Sequence, residues 1–128
     1  MDVEQLNALM FAAEGQEEHG AYGGVGWYRF LDDVLADEFE IRRSAAERPL
    51  EDRIAFLRVT RDAERKARWL VPGSTRVWQS GSLAAVVCVV QVEGRGERFT
   101  NIRLFTSGGK HGWICTWWQV TAAQAEPS

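Results

Sequence analysis

Histidine, cysteine and proline are scarce in this 128-residue chain, which holds two, two and three of them. The histidines (His19, His111) and cysteines (Cys88, Cys115) stand far apart, without the close spacing of a metal centre, so neither a metal nor a cofactor is expected. No apolar run approaches about 18 residues, so no membrane-spanning helix is expected. The first twenty residues carry acids and no basic leader region, so no secretory leader is expected. Positive charge is not in excess: 15 Lys and Arg against 18 Asp and Glu give a net charge of −3, which removes the electrostatic drive toward nucleic acid or an anionic membrane. Each cysteine falls in mid-strand. With one strand between them they lie about 10 Å apart at ~4.8 Å per strand. A disulfide tolerates a Cα separation of only about 7 Å. Two free buried thiols fit a reducing cytoplasm.

What the chain does have is aromatic mass: six tryptophans and six phenylalanines. Its length suits one domain over residues 1–128. Val3, Leu6, Leu9, Met10 and Ala13 make one helical stripe in residues 1–14. A glycine-rich loop follows to Gly26. Trp27, Phe30, Leu31, Val34 and Leu35 then mark a second helix whose other face carries Asp32, Asp33 and Asp37. Phe39 and Ile41 alternate with Glu40 and Arg42 as a short strand. A third helix is expected from Pro49 to about Asp62, with Glu51 and Asp52 in its first turn and Leu50, Ile54 and Leu57 buried. Arg68–Val71 and Arg76–Gln79 read as short strands. Leu83–Val92 is apolar at nearly every position, so cover on both faces is expected. Residues 122–128 form a frayed polar tail. Helices first and antiparallel strands after define an α+β chain.

The sharpest signal is the last strand pair, Glu97–Thr121, folded about the glycine-rich turn at Ser107–Gly112. Phe99, Asn101, Arg103 and Phe105 share one face, since side chains alternate along a strand. An amide and a guanidinium between phenylalanines suggest a lined pocket. Trp117 and Trp118 are neighbours and must face opposite sides. The sequence does not settle which faces inward; Trp117 is assigned to the pocket and Trp118 to the outer surface. Ile102, Leu104, Ile114, Trp118 and Val120 then form an apolar outer face, expected to be covered by a second copy of the chain.

The segments LADEFEIRRS and DRIAFL, followed by NIRLF and then GW after a turn, resemble the small NTF2-like proteins, particularly the SnoaL-like and DUF4440-type domains. The resemblance runs from about Trp27 to Thr121. It implies a cone, in which a strongly bent antiparallel sheet wraps around about three N-terminal helices and encloses an apolar pocket. Relatives of this kind include isomerases, cyclases, dehydratases and non-catalytic dimerising domains, so fold alone does not fix activity. In the ketosteroid isomerases among them, a carboxylate base would fall at Arg43 and an oxyanion-binding acid at Asn101. Arginine stays charged and cannot abstract a proton, which argues against that reaction, although Asn101 could still donate a hydrogen bond.

The resulting expectation is a domain that binds a small, largely apolar molecule, with Trp27, Tyr28, Phe30, Arg43, Trp78, Phe99, Phe105 and Trp117 around polar anchors Asn101 and Arg103. The alternatives are a SnoaL-like acid–base enzyme, which needs a carboxylate or histidine in the cavity, and an accessory dimerisation domain without ligand. Tyr22, Tyr28 and Asp33 are read as a solvated face rather than an acid–base set, His19 and His111 as surface groups, and Arg65, Lys66, Arg68 and Trp69 as a charged edge strand.

Overall fold

A computed structural model describes residues 1–44 and 50–122. Helices α1 (Val3–Glu14), α2 (Trp27–Val34) and α3 (Arg53–Asp62) accompany seven strands: β1 (Leu35–Arg43), β2 (Leu50–Asp52), β3 (Arg68–Leu70), β4 (Arg76–Ser80), β5 (Leu83–Val92), β6 (Arg98–Ser107) and β7 (Trp113–Ala122). The sheet runs β2-β1-β7-β6-β5-β3, and β4 shares the β5 edge with β3. It is a curled sheet that does not close, giving an α+β cone. All pairs are antiparallel except β1 with β7, which run parallel.

The elements follow from local chemistry. Asp2 caps α1 by accepting from the Gln5 amide at 2.7 Å, and Asp52 caps α3 by accepting from Ala55 N at 2.9 Å. The cap at Asp52 also explains a departure from expectation. The helix begins three residues beyond Leu50, so Leu50, Glu51 and Asp52 form β2 against β1 instead of a first helical turn. Its buried stripe becomes Phe56, Leu57 and Thr60, leaving Ile54 63% exposed and Leu50 outside as well. Pro49 lies outside the described residues. Leu35 adopts extended backbone, so α2 stops at Val34 and the strand expected near Phe39 starts at Leu35.

The core lies between the helices and the concave face of the sheet. Leu6, Met10 and Phe11 of α1 and Phe30, Leu31 and Val34 of α2 pack on Val86, Cys88, Phe105, Cys115 and Trp118 of the strands. The cysteines are free and buried on strands separated by β6. On β5 burial alternates: Ala84, Val86, Cys88 and Val90 are buried, while Ala85, Val87 and Val89 are only half-buried. The nearly continuous apolar run therefore does not mark a strand covered on both sides. The helices cover one face and leave the convex one open.

A β-bulge in β7 decides which way the two tryptophans point. Leu104 pairs with Trp117 but Phe105 pairs with Cys115, so Thr116 is an extra residue. Alternation breaks there, and Trp113, Cys115, Trp118 and Val120 all face the concave side. Trp118, assigned from simple alternation to the outer face, is 1% exposed in the core; Trp117 takes the convex position beside Leu104. Val120 moves inward with Trp118, while Ile102, Leu104 and Ile114 keep the outward parity.

Candidate functional site

The polar centre of the concave face is Arg103. It is wholly buried, its Cζ lying 3.8 Å from the ring centroid of Phe11 and 3.8 Å from that of Trp118. Two aromatic faces so placed stabilise a guanidinium through the ring quadrupole. The Phe11 and Trp118 rings are themselves edge-to-face at 5.8 Å, and Phe56 supports Trp118 from 5.4 Å. Arg103 Nη1 donates to the main-chain and side-chain oxygens of Asn7, each at 3.0 Å. Burial pulls the guanidinium below its ordinary value, and Cys115 and Glu14 act the other way.

Asn101 sits one inward position along β6. Its Oδ1 accepts from Trp118 Nε1 at 2.8 Å, and its Nδ2 donates to the Phe99 carbonyl at 3.1 Å. The amide thereby fixes the indole that covers Arg103. The chain Asn7–Arg103, with Trp118–Asn101 beside it, ties α1 to two strands.

Beside this cluster opens a cavity of about 690 Å³. Its floor is buried and is made by Phe11, Asn101 and Trp118, with Val90 and Val120 alongside. Phe99 forms one wall, and Arg95 stands over its ring at 5.5 Å. Arg43, Lys66, Arg68 and Arg95 supply four cations to the lining, against the carboxylates of Glu14 and Glu97. Arg43 is paired with Glu51, and Arg68 with Glu14 at 2.9 Å. A second depression of about 510 Å³ lies on the convex face, where Trp78, Leu83, Ala85 and Leu104 form its apolar wall.

The expected site residues divide between these places. Arg43, Phe99 and Asn101 line the cavity, and Arg103 lies directly behind the rings of its floor. Phe30 instead stacks on Tyr22 at 4.7 Å in the core, and Phe105 is buried one inward position beyond Arg103. Trp27 and Tyr28 pack edge-to-face with each other at 5.7 Å on α2. Trp78 is 58% exposed on the convex face, where Trp117 joins it. Of the weaker candidates, Tyr22 is buried, with its hydroxyl donating to Glu17 O at 2.8 Å, and burial pushes its pKa up to about 12. His19 caps the turn at Gly20–Tyr22 through Nδ1, and His111 packs on Phe30 at 4.8 Å. Among the described residues no group of histidine, cysteine and acid side chains could hold a metal ion.

Asn7, Phe11, Glu14, Lys66, Arg68 and Arg95 were missed as site residues. Asn7 carried a signal, since it lies one turn beyond Val3 and one turn before Met10 on an apolar helix, where a buried amide needs a partner. The cations at Lys66 and Arg68 were visible as charge, but their position over the cavity depends on where β3 joins the β5 edge.

This arrangement, a curled sheet around three helices with a cavity on the concave side, is the NTF2-like, cystatin-like fold. Three solved structures illustrate the likeness. An NTF2-like protein from Cytophaga hutchinsonii superposes with a TM-score of 0.68 at 12% identity, over 96% of this chain and 100% of the other. The CaMKII hub of S. rosetta gives 0.68 at 16% identity over 94% of both chains. A putative ketosteroid isomerase from Parabacteroides distasonis gives 0.63 at 4% identity, over 96% of this chain and 89% of the other. No family model and no curated protein matches the sequence. No helix among the described residues is long and apolar enough to cross a membrane.

Proposed function

We propose that this NTF2-like chain is a cytoplasmic small-molecule-binding domain that works as a homodimer, with the concave cavity as its binding site. The observation that carries the reading is the floor: two aromatic rings, an aliphatic wall and a buried amide converge on one space of about 690 Å³. That size and that mixture of apolar surface with a few fixed polar groups suit a small organic ligand. Binding is preferred to catalysis because the half-buried carboxylate of the cavity, Glu14, is engaged by Arg68, and because the family resemblance would put an isomerase's base at Arg43, a residue that lines the cavity.

The dimer rests on the convex face. Trp78, Ala85, Leu104 and Trp117 lie in one cross-strand row over β4–β7, with Leu83, Ile102 and Ile114 in the neighbouring rows. An apolar band of this extent, rimmed by Arg42, Glu40 and Arg76, has the make-up of an interface core and polar rim. Native mass spectrometry of gently purified protein tests both halves. A dimer carrying a reproducible small adduct is the expected result. A bare monomer at every concentration would remove the dimer, and an adduct-free protein whose melting is unmoved by a library of small organic compounds would remove the ligand.

A further inference from the structure

The solvation of Arg103 is incomplete. The rings of Phe11 and Trp118, edge-to-face with one another, each lie 3.8 Å from its Cζ, and Asn7 takes Nη1. Nε and Nη2 are buried without a hydrogen-bond partner. These two N–H groups form one straight edge of the guanidinium, with the spacing that a carboxylate accepts bidentately. Among the described residues no acid takes it: Glu14, whose charge acts on Arg103, is held by Arg68 at 2.9 Å. A buried cation with an open donor edge is costly, and a partner that completes it recovers that cost.

We infer that the cavity takes a small organic acid whose carboxylate binds the open Nε/Nη2 edge of Arg103 and whose hydrocarbon body lies against Phe99, Val90 and Val120. The inference rests on the binding reading above and specifies its ligand class. Phe11 and Trp118 stand between the cavity and the guanidinium, so the acid group enters by parting the two rings. The hydrogen bond from Trp118 Nε1 to Asn101 is the side-chain bond this movement strains. The lining favours an anion over a cation, with four cationic side chains against two carboxylates.

The test uses the full chain and a matched pair of probes, cyclohexanecarboxylate and the neutral cyclohexanecarboxamide. Affinities come from calorimetry, and the arginine Nε–H resonances are followed by nitrogen-15 NMR. The Arg103 signal is assigned by its loss in Arg103→Met. The acid is expected to bind at least about tenfold more tightly than the amide, the difference worth one charge-assisted hydrogen bond. It should also shift the Arg103 resonance, and in Arg103→Met the two probes should bind equally. Equal affinities in the parent protein would overturn the acid inference while leaving a ligand cavity. An acid preference that survives Arg103→Met, without a resonance shift, would place the anion on the rim cations and overturn it as well. If neither probe binds at millimolar concentration, the cavity reading falls and this inference with it. Should Arg103→Met not fold, the affinity ratio and titration shifts in the parent protein decide the matter.

Discussion

The two faces of β6 reverse the usual distribution of polarity. Asn101 and Arg103 point inward and are buried, while Ile102 and Leu104 point outward and are half-buried or exposed. An ordinary half-covered strand puts its apolar residues inside and its polar ones in water. The inversion asks a different question of each face. Inside, the polar groups need partners, and they find them in Asn7, Trp118 and the aromatic rings, with one edge left over. Outside, the apolar groups need cover, and no helix among the described residues supplies it.

The largest expected effect separates the two tryptophans. Trp118→Ala removes a fully buried indole together with one of the two rings that meet Arg103, and should cost about 3–5 kcal/mol in equilibrium urea unfolding. Trp117→Ala, on the outer face, should cost about 1 kcal/mol or less under conditions where the chain is monomeric. Similar costs for the two variants would mean that the bulge at Thr116 does not set their directions.

Next in size is the buried charge. Arg103→Met keeps most of the volume and removes an ion whose burial lowers its pKa, a penalty present throughout the neutral range. Stability should hold or rise by about 1 kcal/mol, because replacing a poorly compensated buried ion with an apolar chain is often stabilising. A loss of several kcal/mol would show that the contacts to Asn7 and the rings outweigh the desolvation, making Arg103 a structural keystone.

The outer face is tested through association instead of folding. Leu104→Glu sets a carboxylate in the apolar row beside Trp78 and Trp117, where a symmetric dimer would bring two such charges together. Sedimentation should show association weakened at least about tenfold relative to the parent dimer. The monomer's unfolding free energy should stay within about 0.5 kcal/mol, as for an ordinary surface change. A dimer of undiminished strength would move the interface elsewhere.

The sequence disclosed the inverted strand but not where all its neighbours go. The positions of α1, α2, β4, β5 and the last hairpin follow from periodicity and glycine turns, and these are local signals. Asn101 and Arg103 stood out because two polar residues at alternate positions on an apolar strand cannot both be casual. What stayed hidden was non-local or depended on a single residue. One extra residue at Thr116 exchanged Trp117 with Trp118 and carried Val120 inward, and nothing in WICTWWQV announces a bulge. The start of α3 was misplaced because Asp52, not a residue before Pro49, supplies the cap. Trp78 was assigned to the pocket, while its strand joins β5 with that side chain on the convex face.

The smallest expected effect concerns protons held inside. Burial pushes Cys115 up to about 12 from 9.0 and Tyr22 up to about 12 from 10.0. A raised folded-state pKa means that the unfolded chain ionises first, so the stabilisation is complete below the unfolded values and is lost as pH rises toward about 12. Stability should therefore be flat from neutrality to about pH 9 and decline above it, the thiol contributing first and the phenol from about pH 10. Tyr22→Phe should cost about 1 kcal/mol at neutral pH through the lost hydrogen bond to Glu17, and should flatten the part of the decline above pH 10. Cys115→Ala should flatten the earlier part. If the parent protein is as stable at about pH 11 as at neutrality, both groups ionise in the folded chain as freely as in the unfolded one. The concave face would then be accessible to water, and the open edge of Arg103 would need no ligand to satisfy it.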